Sequence, residues 1–371
     1  MFEKVVELCD KFLAMGIPGY HVMICIDGKP VLQHWNGYQD VEKTIPLRGD
    51  EHYDIYSCTK LMTVIGALQL WEQGKFKLED KLSDYMPEFE SMTVQTENGI
   101  VPANGPIRIH HLFEMTAGFS YDMVSPAVRA CQAATDGQCP TREFMKYLAK
   151  EPLLFHPGEK YKYSLCHDVL ACLIEVIEGV PVQDYMKQHI FDPVGMKDTS
   201  YMAAPICMKY RYNAAENRFQ KLETNGYRIG PAYASGGAGA VSTVEDYMRM
   251  LEALRTFNLL KPETVQLMMT PRLTLEQLRE NFPAVGSRNY GLGVRVPIDT
   301  HPHTEFGWGG AAGAFWSVDM DKKMSIYYAQ HVTMSPNNDL RGQIYALAFD
   351  ELTGLKTSTV ERNEKLKNIT Y

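Results

Sequence analysis

Ser57 and Lys60 are the two residues whose types and spacing best suit covalent chemistry. They stand three residues apart at the start of an apolar, helix-like run, so a helix places both side chains on one face, with the serine hydroxyl near the positive end of the helix dipole. Serine needs a neighbouring base to become a nucleophile, and a lysine whose ammonium is destabilised by burial can act as one. The spacing predicts Ser57 as a nucleophile and Lys60 as its base or proton partner. A helix N-cap serine followed by a solvated lysine has the same pattern, so the hypothesis depends on partners elsewhere.

Two later segments contain the other groups that an acyl transfer requires. A Pro157-Gly158 loop leads to Tyr163-Ser164-Leu165 ahead of a helical run, and Trp308-Gly309-Gly310 precedes a strand-like run. The reaction needs an acid for the leaving group and two fixed donors at the developing oxyanion. Glycines let a substrate carbonyl approach the backbone closely. Taken singly, Tyr163 and Trp308 are equally typical of packed aromatic residues.

In order and spacing, these three segments resemble the motif set of the serine β-lactamase and penicillin-binding-protein superfamily, most closely its class C-like branch of β-lactamase-fold esterases. The resemblance extends from about residue 15 to about residue 352. It includes flanking segments as well: Asp27-Gly28-Lys29-Pro30, Gly74–Asp80, His111–Gly118 and the glycine-rich turn before Ser242–Asp246.

The resemblance implies a role for each motif residue. Ser57 would be the nucleophile, Lys60 its adjacent base, and Tyr163 a second acid/base group that shares a proton with Lys60. The backbone N–H groups of Ser57 and Ala311 would form the oxyanion hole. The remaining motif residues would contact the substrate: Trp308, Gly309, Gly310 and Leu165.

Two residues depart from the β-lactamase pattern. The second motif commonly ends in Asn, where this chain has Leu165. The third motif of β-lactamases and DD-peptidases begins with Lys, which supports recognition of the substrate carboxylate, where this chain has Trp308. An indole cannot supply that charge. We therefore expect a serine hydrolase that acts through an acyl-serine intermediate, as an esterase on small uncharged acyl esters.

Other functions stay open at this point. A class C-like β-lactamase or D-amino-acid peptidase would use the same residues, and an acyltransferase differs only in the acceptor that attacks the acyl-enzyme. A non-catalytic penicillin-binding-like protein is a further alternative. The chain has no Gly-x-Ser-x-Gly elbow of an α/β-hydrolase. His110-His111 and His301-Pro302-His303 lack the matching carboxylate or the His-Glu-x-x-His helix of a metal site, so we expect no metal and no cofactor.

Composition limits the class of partner and the compartment. The 371 residues carry a net charge of -8 with no basic stripe, which does not favour a nucleic-acid partner, so a small acyl substrate is expected. The eight cysteines show no Cys-x-x-Cys spacing and are predicted to be reduced thiols. Charged residues interrupt the N-terminal apolar run, and no later run is long enough to cross a bilayer. We expect a cytoplasmic protein without membrane partners.

Hydrophobic periodicity predicts the elements that must position these residues. We expect a mixed α+β fold of the β-lactamase/transpeptidase type, in which an antiparallel sheet flanked by helices is built from both chain ends. Residues 1–354 would form a single catalytic unit, with an α/β sandwich over 1–60 and 285–354 and a mainly helical region over 61–284. A polar tail would follow over 355–371. Strands are predicted at 20–26, 30–37, 292–296, 314–318 and 323–331.

Overall fold

A computed structural model describes residues 1–201, 207–281 and 288–367. The helices of these residues, in chain order, are α1 (Glu3–Ala14), α2 (Thr59–Glu72), α3 (Ile109–Phe113), α4 (Pro126–Ala134), α5 (Thr141–Leu148), α6 (Cys166–Glu178), α7 (Val182–Met186), α8 (Asp192–Val194), α9 (Val244–Arg255), α10 (Pro262–Met269), α11 (Leu275–Asn281), α12 (Gly342–Thr353) and α13 (Glu364–Lys367). Within these ranges, no helix has the length and apolar character that crossing a bilayer requires.

The strands are short and mostly antiparallel. In chain order they are β1 (Gly19–Ile26), β2 (Lys29–Gly37), β3 (Tyr53–Asp54), β4 (Thr93–Thr96), β5 (Gly99–Pro102), β6 (Lys209–Asn213), β7 (Arg218–Leu222), β8 (Val241–Ser242), β9 (Arg288–Tyr290), β10 (Arg295–Pro297), β11 (Phe306–Gly309), β12 (Phe315–Asp319), β13 (Met324–Ala329) and β14 (Val332–Thr333).

The main sheet joins the two ends of the chain. Its seven strands run in the order β2-β1-β13-β12-β11-β10-β9, and each neighbouring pair is antiparallel. The N-terminal hairpin supplies two strands, and the segment after residue 287 supplies the other five. The predicted mixed α+β architecture, with a sheet built from both chain ends, is therefore the observed one.

Helices cover both faces of this sheet, and alternate residues of the central strand β13 show why. Tyr327 stacks on Tyr247 of α9 with ring centres 4.2 Å apart, whereas the next residue, Tyr328, meets Phe12 of α1 edge-on at 6.0 Å. Successive side chains of a strand point to opposite faces. A strand between two helical layers is thus apolar on both sides, and every residue of β13 is buried.

Helix α2 is the centre of the helical region. Eleven of its fourteen residues are buried, because it packs against α6 and other helices on several sides. A helix that is apolar nearly all round is typical of the interior of a large domain. This burial gives a rigid support to the start of α2, which the turn that contains Ser57 directly precedes in the chain.

The structure departs from the predicted elements in several places. Two strands of the main sheet, β9 and β11, lie outside the predicted strands. The strand predicted at 292–296 is wrong: β9 and β10 flank a turn, in which Gly293 has φ +77°, a conformation that favours glycine. The helical region also contains two hairpins, β4–β5 and β6–β7, that periodicity did not reveal. These short strands carry polar and apolar residues without clear alternation, so the period-2 signal is weak.

Candidate active site

Ser57 lies in a 3-10 turn, Tyr56–Cys58, that leads directly into α2. The residue before it, Tyr56, has φ +46°, a left-handed conformation that costs a non-glycine residue about 1–3 kcal/mol and persists only when the surroundings hold it. The Tyr56 ring is buried and packs edge-on against Tyr227. Backbone strain of this kind clusters at functional sites, and Ser57 borders a cavity.

The Lys60 ammonium is buried in the first turn of α2, with 1% of the residue exposed. Its Nζ lies 3.4 Å from Ser57 Oγ, 3.3 Å from the Tyr121 hydroxyl and 2.7 Å from the carbonyl oxygen of Gly237. It also lies 4.6 Å from the centre of the Tyr163 ring. The structure therefore brings Ser57 and Lys60 into contact, as their spacing predicts. The contact is long for a hydrogen bond, which is common in active sites without substrate.

Tyr163 approaches Lys60 with the face of its ring, from the loop before α6. The Tyr163 hydroxyl accepts a hydrogen bond from Trp308 Nε1 at 3.3 Å, and the two rings are stacked with centres 5.6 Å apart. Tyr290 packs edge-on against the same indole at 5.2 Å. The structure thus places the second and third motifs side by side. The acid/base role of Tyr163 stays a prediction.

Tyr121 is a site residue that sequence reasoning missed. Its hydroxyl contacts Lys60, and its ring meets Tyr163 edge-on at 5.5 Å. Burial raises the pKa of Tyr121 well above its ordinary value, although a hydrogen bond with Ser57 opposes the shift. The side chain is therefore a neutral phenol that can both donate and accept. Its position three residues after Gly118, at the end of a motif segment, was the available signal, but 21 tyrosines compete for such a role.

Gly310 allows the end of β11 to approach the Ser57 turn. A Cβ at this position would lie 2.6 Å from the carbonyl oxygen of Ile55, so only glycine fits without a shift of the backbone. Ala311 follows at once, and both Ala311 and Ser57 border the cavity. This close approach is compatible with the predicted pair of oxyanion donors, the N–H groups of Ser57 and Ala311.

The turn that carries Ala311 is closed by its own backbone and by one arginine. Gly310 N donates to Ala314 O at 2.8 Å, and Gly313 N donates to Gly310 O at 3.0 Å. Arg341 Nη1 donates to the same two carbonyl oxygens, of Gly310 at 3.0 Å and of Ala314 at 2.8 Å. The guanidinium therefore fixes the geometry of the turn from outside.

A cavity of about 540 Å³ borders Ser57, within the usual size of a small-molecule site. One part of its wall is aromatic: Tyr121, Tyr163, Tyr227, Trp308 and Phe315. Gly309 and Gly310 also line it, as the resemblance implies. Leu165 does not: it is 2% exposed, directly precedes α6 and packs in the core. The expectation that Leu165 contacts the substrate therefore finds no support in its position.

Two arginines, Arg295 and Arg341, also line the cavity. Burial lowers the pKa of Arg295 to about 10, which leaves it charged at neutral pH, and burial also lowers the pKa of Arg341. The Arg295 guanidinium packs over the Phe315 ring at 5.6 Å and lies 3.3 Å from Glu305. The indole of Trp308 supplies no charge, but the site does have cationic groups. Arg295 lies on β10 and pairs with Gly307 of β11, and Arg341 directly precedes α12.

A carboxylate does accompany the second histidine pair, contrary to the sequence-based expectation. Ligand atoms of His301, His303 and Glu305 lie within 4.8 Å of one another. However, Oε1 of Glu305 is paired with both Arg288 and Arg295, so two guanidinium charges next to the carboxylate oppose the binding of a cation. The donor set suits an ion-pair network better than a metal ion.

The other pair, His110-His111, has local structural partners. His110 Nδ1 lies 3.1 Å from Glu114, one turn further along the chain. His111 Nδ1 accepts from the backbone N–H of Arg108 at 3.1 Å, at the beginning of α3. Both side chains therefore stabilise this short helix.

Fold and site together define a mixed α+β protein with a Ser-x-x-Lys pair at the wall of an aromatic cavity, and the comparisons agree. The Beta-lactamase family model matches residues 5–348, so the chain belongs to this family. The predicted family and fold are confirmed.

Particular relatives add detail. Esterase EstB of Burkholderia gladioli is 26% identical over 346 residues, covering 83% of this chain and 84% of EstB. Monacolin J acid methylbutanoyltransferase of Aspergillus terreus is 28% identical over 327 residues, covering 83% of this chain and 78% of that enzyme. The solved structure of EstCE1, described as a hydrolase with promiscuous acyltransferase activity, superposes with a TM-score of 0.78 at 25% identity, covering 94% of this chain and 98% of EstCE1.

Proposed function

We propose that the protein is a serine esterase that cleaves small acyl esters through an acyl-Ser57 intermediate. The observation that carries the proposal is the contact of Ser57 Oγ with the buried Lys60 Nζ, 3.4 Å away, at the wall of an aromatic-lined cavity. A buried amine beside a hydroxyl is the arrangement that activates serine without histidine. The esterase name of EstB and the hydrolase activity ascribed to EstCE1 support the same class.

In the proposed reaction, Ser57 Oγ attacks the acyl carbonyl carbon and its proton passes to Lys60. The N–H groups of Ser57 and Ala311 stabilise the negative charge on the carbonyl oxygen. As the C–O bond to the alcohol breaks, the proton moves to the leaving oxygen by way of Lys60 with Tyr163 or Tyr121. Water then attacks the acyl-enzyme by the same route in reverse and restores the Ser57 hydroxyl.

The residues that line the cavity indicate which acyl groups and which alcohols the substrate can contain. The aromatic side chains around Ser57 suit a small apolar acyl group, because they desolvate it without offering charged partners. Arg295 and Arg341 lie on the same cavity, so a negative charge on the leaving alcohol would be tolerated. Uncharged acyl groups remain the proposed class, and we place no such limit on the alcohol.

Hydrolysis of p-nitrophenyl butyrate, with Ser57→Ala as the variant, tests the proposal. Ser83→Ala is a matched control, because Ser83 is also 9% exposed and does not line this cavity. We expect Ser57→Ala to abolish turnover with the fold intact, Ser83→Ala to keep it, and a serine-directed phosphonate to label the wild type stoichiometrically at Ser57. Comparable turnover in Ser57→Ala, or a label on another residue, would refute the assignment.

Acyl transfer is a second candidate function. The methylbutanoyltransferase and the acyltransferase activity ascribed to EstCE1 favour it, since both reactions share the acyl-enzyme and differ only in the acceptor. Adding a short alcohol to the butyrate assay separates the two. A transferase forms the new ester in preference to butyrate although water is in large excess, whereas an esterase forms mainly butyrate.

A β-lactamase remains the alternative that shares the acylation step. Arg295 and Arg341 could face the carboxylate of a penicillin or cephalosporin, so nitrocefin belongs in the same experiment. We expect kcat/KM for p-nitrophenyl butyrate to exceed that for nitrocefin. The third motif has Trp308, which stacks on Tyr163, in the place of the lysine that supports recognition of the β-lactam carboxylate. If nitrocefin is the better substrate, the esterase proposal fails and the protein is a β-lactamase.

A further inference from the structure

Asp168 is a buried carboxylate on α6 that the proposed reaction does not yet use. Only 1% of the residue is exposed. Its Oδ1 accepts hydrogen bonds from Tyr233 OH at 2.8 Å, Ser235 Oγ at 2.6 Å and Gly237 N at 3.4 Å. All three donors belong to the glycine-rich turn, residues 233–240, so the carboxylate is held rigidly at one edge of that turn.

The other oxygen of Asp168 faces the same small space as the Lys60 ammonium. A Cβ built on Gly237 would lie 2.6 Å from Asp168 Oδ2 and 3.1 Å from Lys60 Nζ. Asp168 Oδ2 and Lys60 Nζ are therefore about 6 Å apart at most, which leaves little more than the room for one methyl group between them. At this distance an opposite charge stabilises the charged form of a group. The absence of a side chain at Gly237 keeps this space open, and the Gly237 carbonyl oxygen accepts the Lys60 hydrogen bond.

Most of the titratable side chains around Lys60 are neutral at pH 7. Burial lowers the pKa of His167 to about 3 and raises the pKa of Cys58 to about 12 and that of Cys166 to about 11, so all three are neutral at pH 7. Tyr121 contributes a neutral hydroxyl and Tyr163 a ring face. Among these neighbours, the negative charge comes from Asp168.

We propose that the Asp168 carboxylate is the counter-charge of the Lys60 ammonium and sets the pH range in which the pair of Ser57 and Lys60 can react. Asp168 is a positioning residue, because it acts on the reacting atoms only through Lys60 and the glycine-rich turn. The inference deepens the proposed function and rests on Ser57 being the nucleophile.

The direction of the effect follows from charge alone. Lys60 must lose a proton before it can accept one from Ser57, and a neighbouring negative charge opposes that loss. Replacing Asp168 with Asn removes the charge and keeps a side chain of the same shape. If Tyr163 is the group that loses the proton, the direction is the same, because a phenolate also forms more easily once the negative charge is gone.

The test measures the rate of phosphonate labelling at Ser57, and kcat/KM for p-nitrophenyl butyrate, from about pH 5 to about pH 10. In Asp168→Asn we expect the acidic limb of both profiles to move to lower pH by about one unit or more. Asp246→Asn is the matched control. Asp246 is also 1% exposed and accepts from Asp198 N and Thr199 Oγ1, but it lies on α9 and pairs with Arg249.

A second variant covers the case in which Asp168→Asn fails to fold. Gly237→Ala places a methyl group between the two charges and should move the acidic limb in the same direction. Gly226→Ala should not, because a Cβ there meets no atom of the described residues within 4 Å. The inference is overturned if the acidic limb does not move in a test variant that folds, or if Asp246→Asn moves it by the same amount. Failure of the wild type to label at Ser57 at any pH instead overturns the proposed function.

Discussion

Trp308 Nε1 donates a hydrogen bond to the Tyr163 hydroxyl across 3.3 Å, and the two rings are stacked. The relationship joins two motifs that are 145 residues apart in the chain. It also determines where the phenol points in the absence of substrate. In the proposed reaction, this indole orients the acid/base group and does not bind substrate charge.

The first prediction removes this hydrogen bond and keeps the stacking. Trp308→Phe should lower kcat for p-nitrophenyl butyrate by roughly tenfold, because the Tyr163 hydroxyl loses the donor that orients it. Trp316→Phe is the control: its buried Nε1 has no hydrogen-bond partner among the described residues, so the change should affect stability and leave kcat nearly unchanged. Equal values of kcat for Trp308→Phe and the wild type would contradict the orienting role.

The second prediction concerns the proton path. Lys60→Ala and Tyr163→Phe should each lower kcat by on the order of a hundredfold or more, and the double variant should lose less than the product, because both act on one proton. Tyr121→Phe removes the second phenol that contacts Lys60 and should show the same non-additivity with Lys60→Ala. Strictly multiplicative losses would indicate that the residues act independently.

The third prediction concerns a buried ion pair behind the site. Asp54, three residues before Ser57, pairs with Lys209 at 2.6 Å, and their side chains are 1% and 9% exposed. Lys209→Ala should lower the free energy of unfolding by about 3 kcal/mol, because it leaves a buried carboxylate short of its main partner.

Urea unfolding measures this loss against a matched pair on the surface. Lys187 and Asp192 are also 2.6 Å apart, but their side chains are 66% and 57% exposed. Lys187→Ala should therefore cost less than about 1 kcal/mol. Similar losses in Lys187→Ala and Lys209→Ala would show that burial does not determine the strength of the Asp54 pair.

The fourth prediction is the pH dependence of stability. Burial lowers the pKa of His111 and His167 to about 3 and that of His21 and His331 to about 4, whereas an unfolded histidine titrates near pH 6.5. Between these values the unfolded chain binds more protons than the folded protein, so stability is present above about pH 6.5 and is lost as the pH falls toward 4.

Each of these histidines should contribute about 1.4 kcal/mol per pH unit to the slope within that window. Urea midpoints at about pH 5 and about pH 6 measure the slope for the wild type and for His331→Asn. Asparagine can retain the hydrogen bond to the carbonyl oxygen of Cys207 but does not titrate. An identical slope in His331→Asn would show that His331 does not titrate on unfolding.

Local sequence patterns were sufficient for the fold class and for part of the site. The apolar character of β1 is strong because this strand is buried on both faces, and the structure has it close to its predicted bounds. The mostly exposed strand β2 also lies close to its predicted bounds. Ser57 and Lys60 are neighbours along one helix, so their contact follows from helix geometry alone. The order of the three motifs was likewise readable from the chain.

Only tertiary packing determined the rest of the site. Tyr121, Asp168, Arg295 and Arg341 reach the site from separate elements. Apart from the position of Tyr121 shortly after Gly118, their local sequences do not distinguish them from other residues of their types. Leu165, adjacent to a motif in sequence, packs in the core because the chain turns into α6 there. The sequence by itself determined that Ser57 and Lys60 meet at the beginning of α2. The charges and walls around them depend on contacts between distant segments, which only the folded chain brings together.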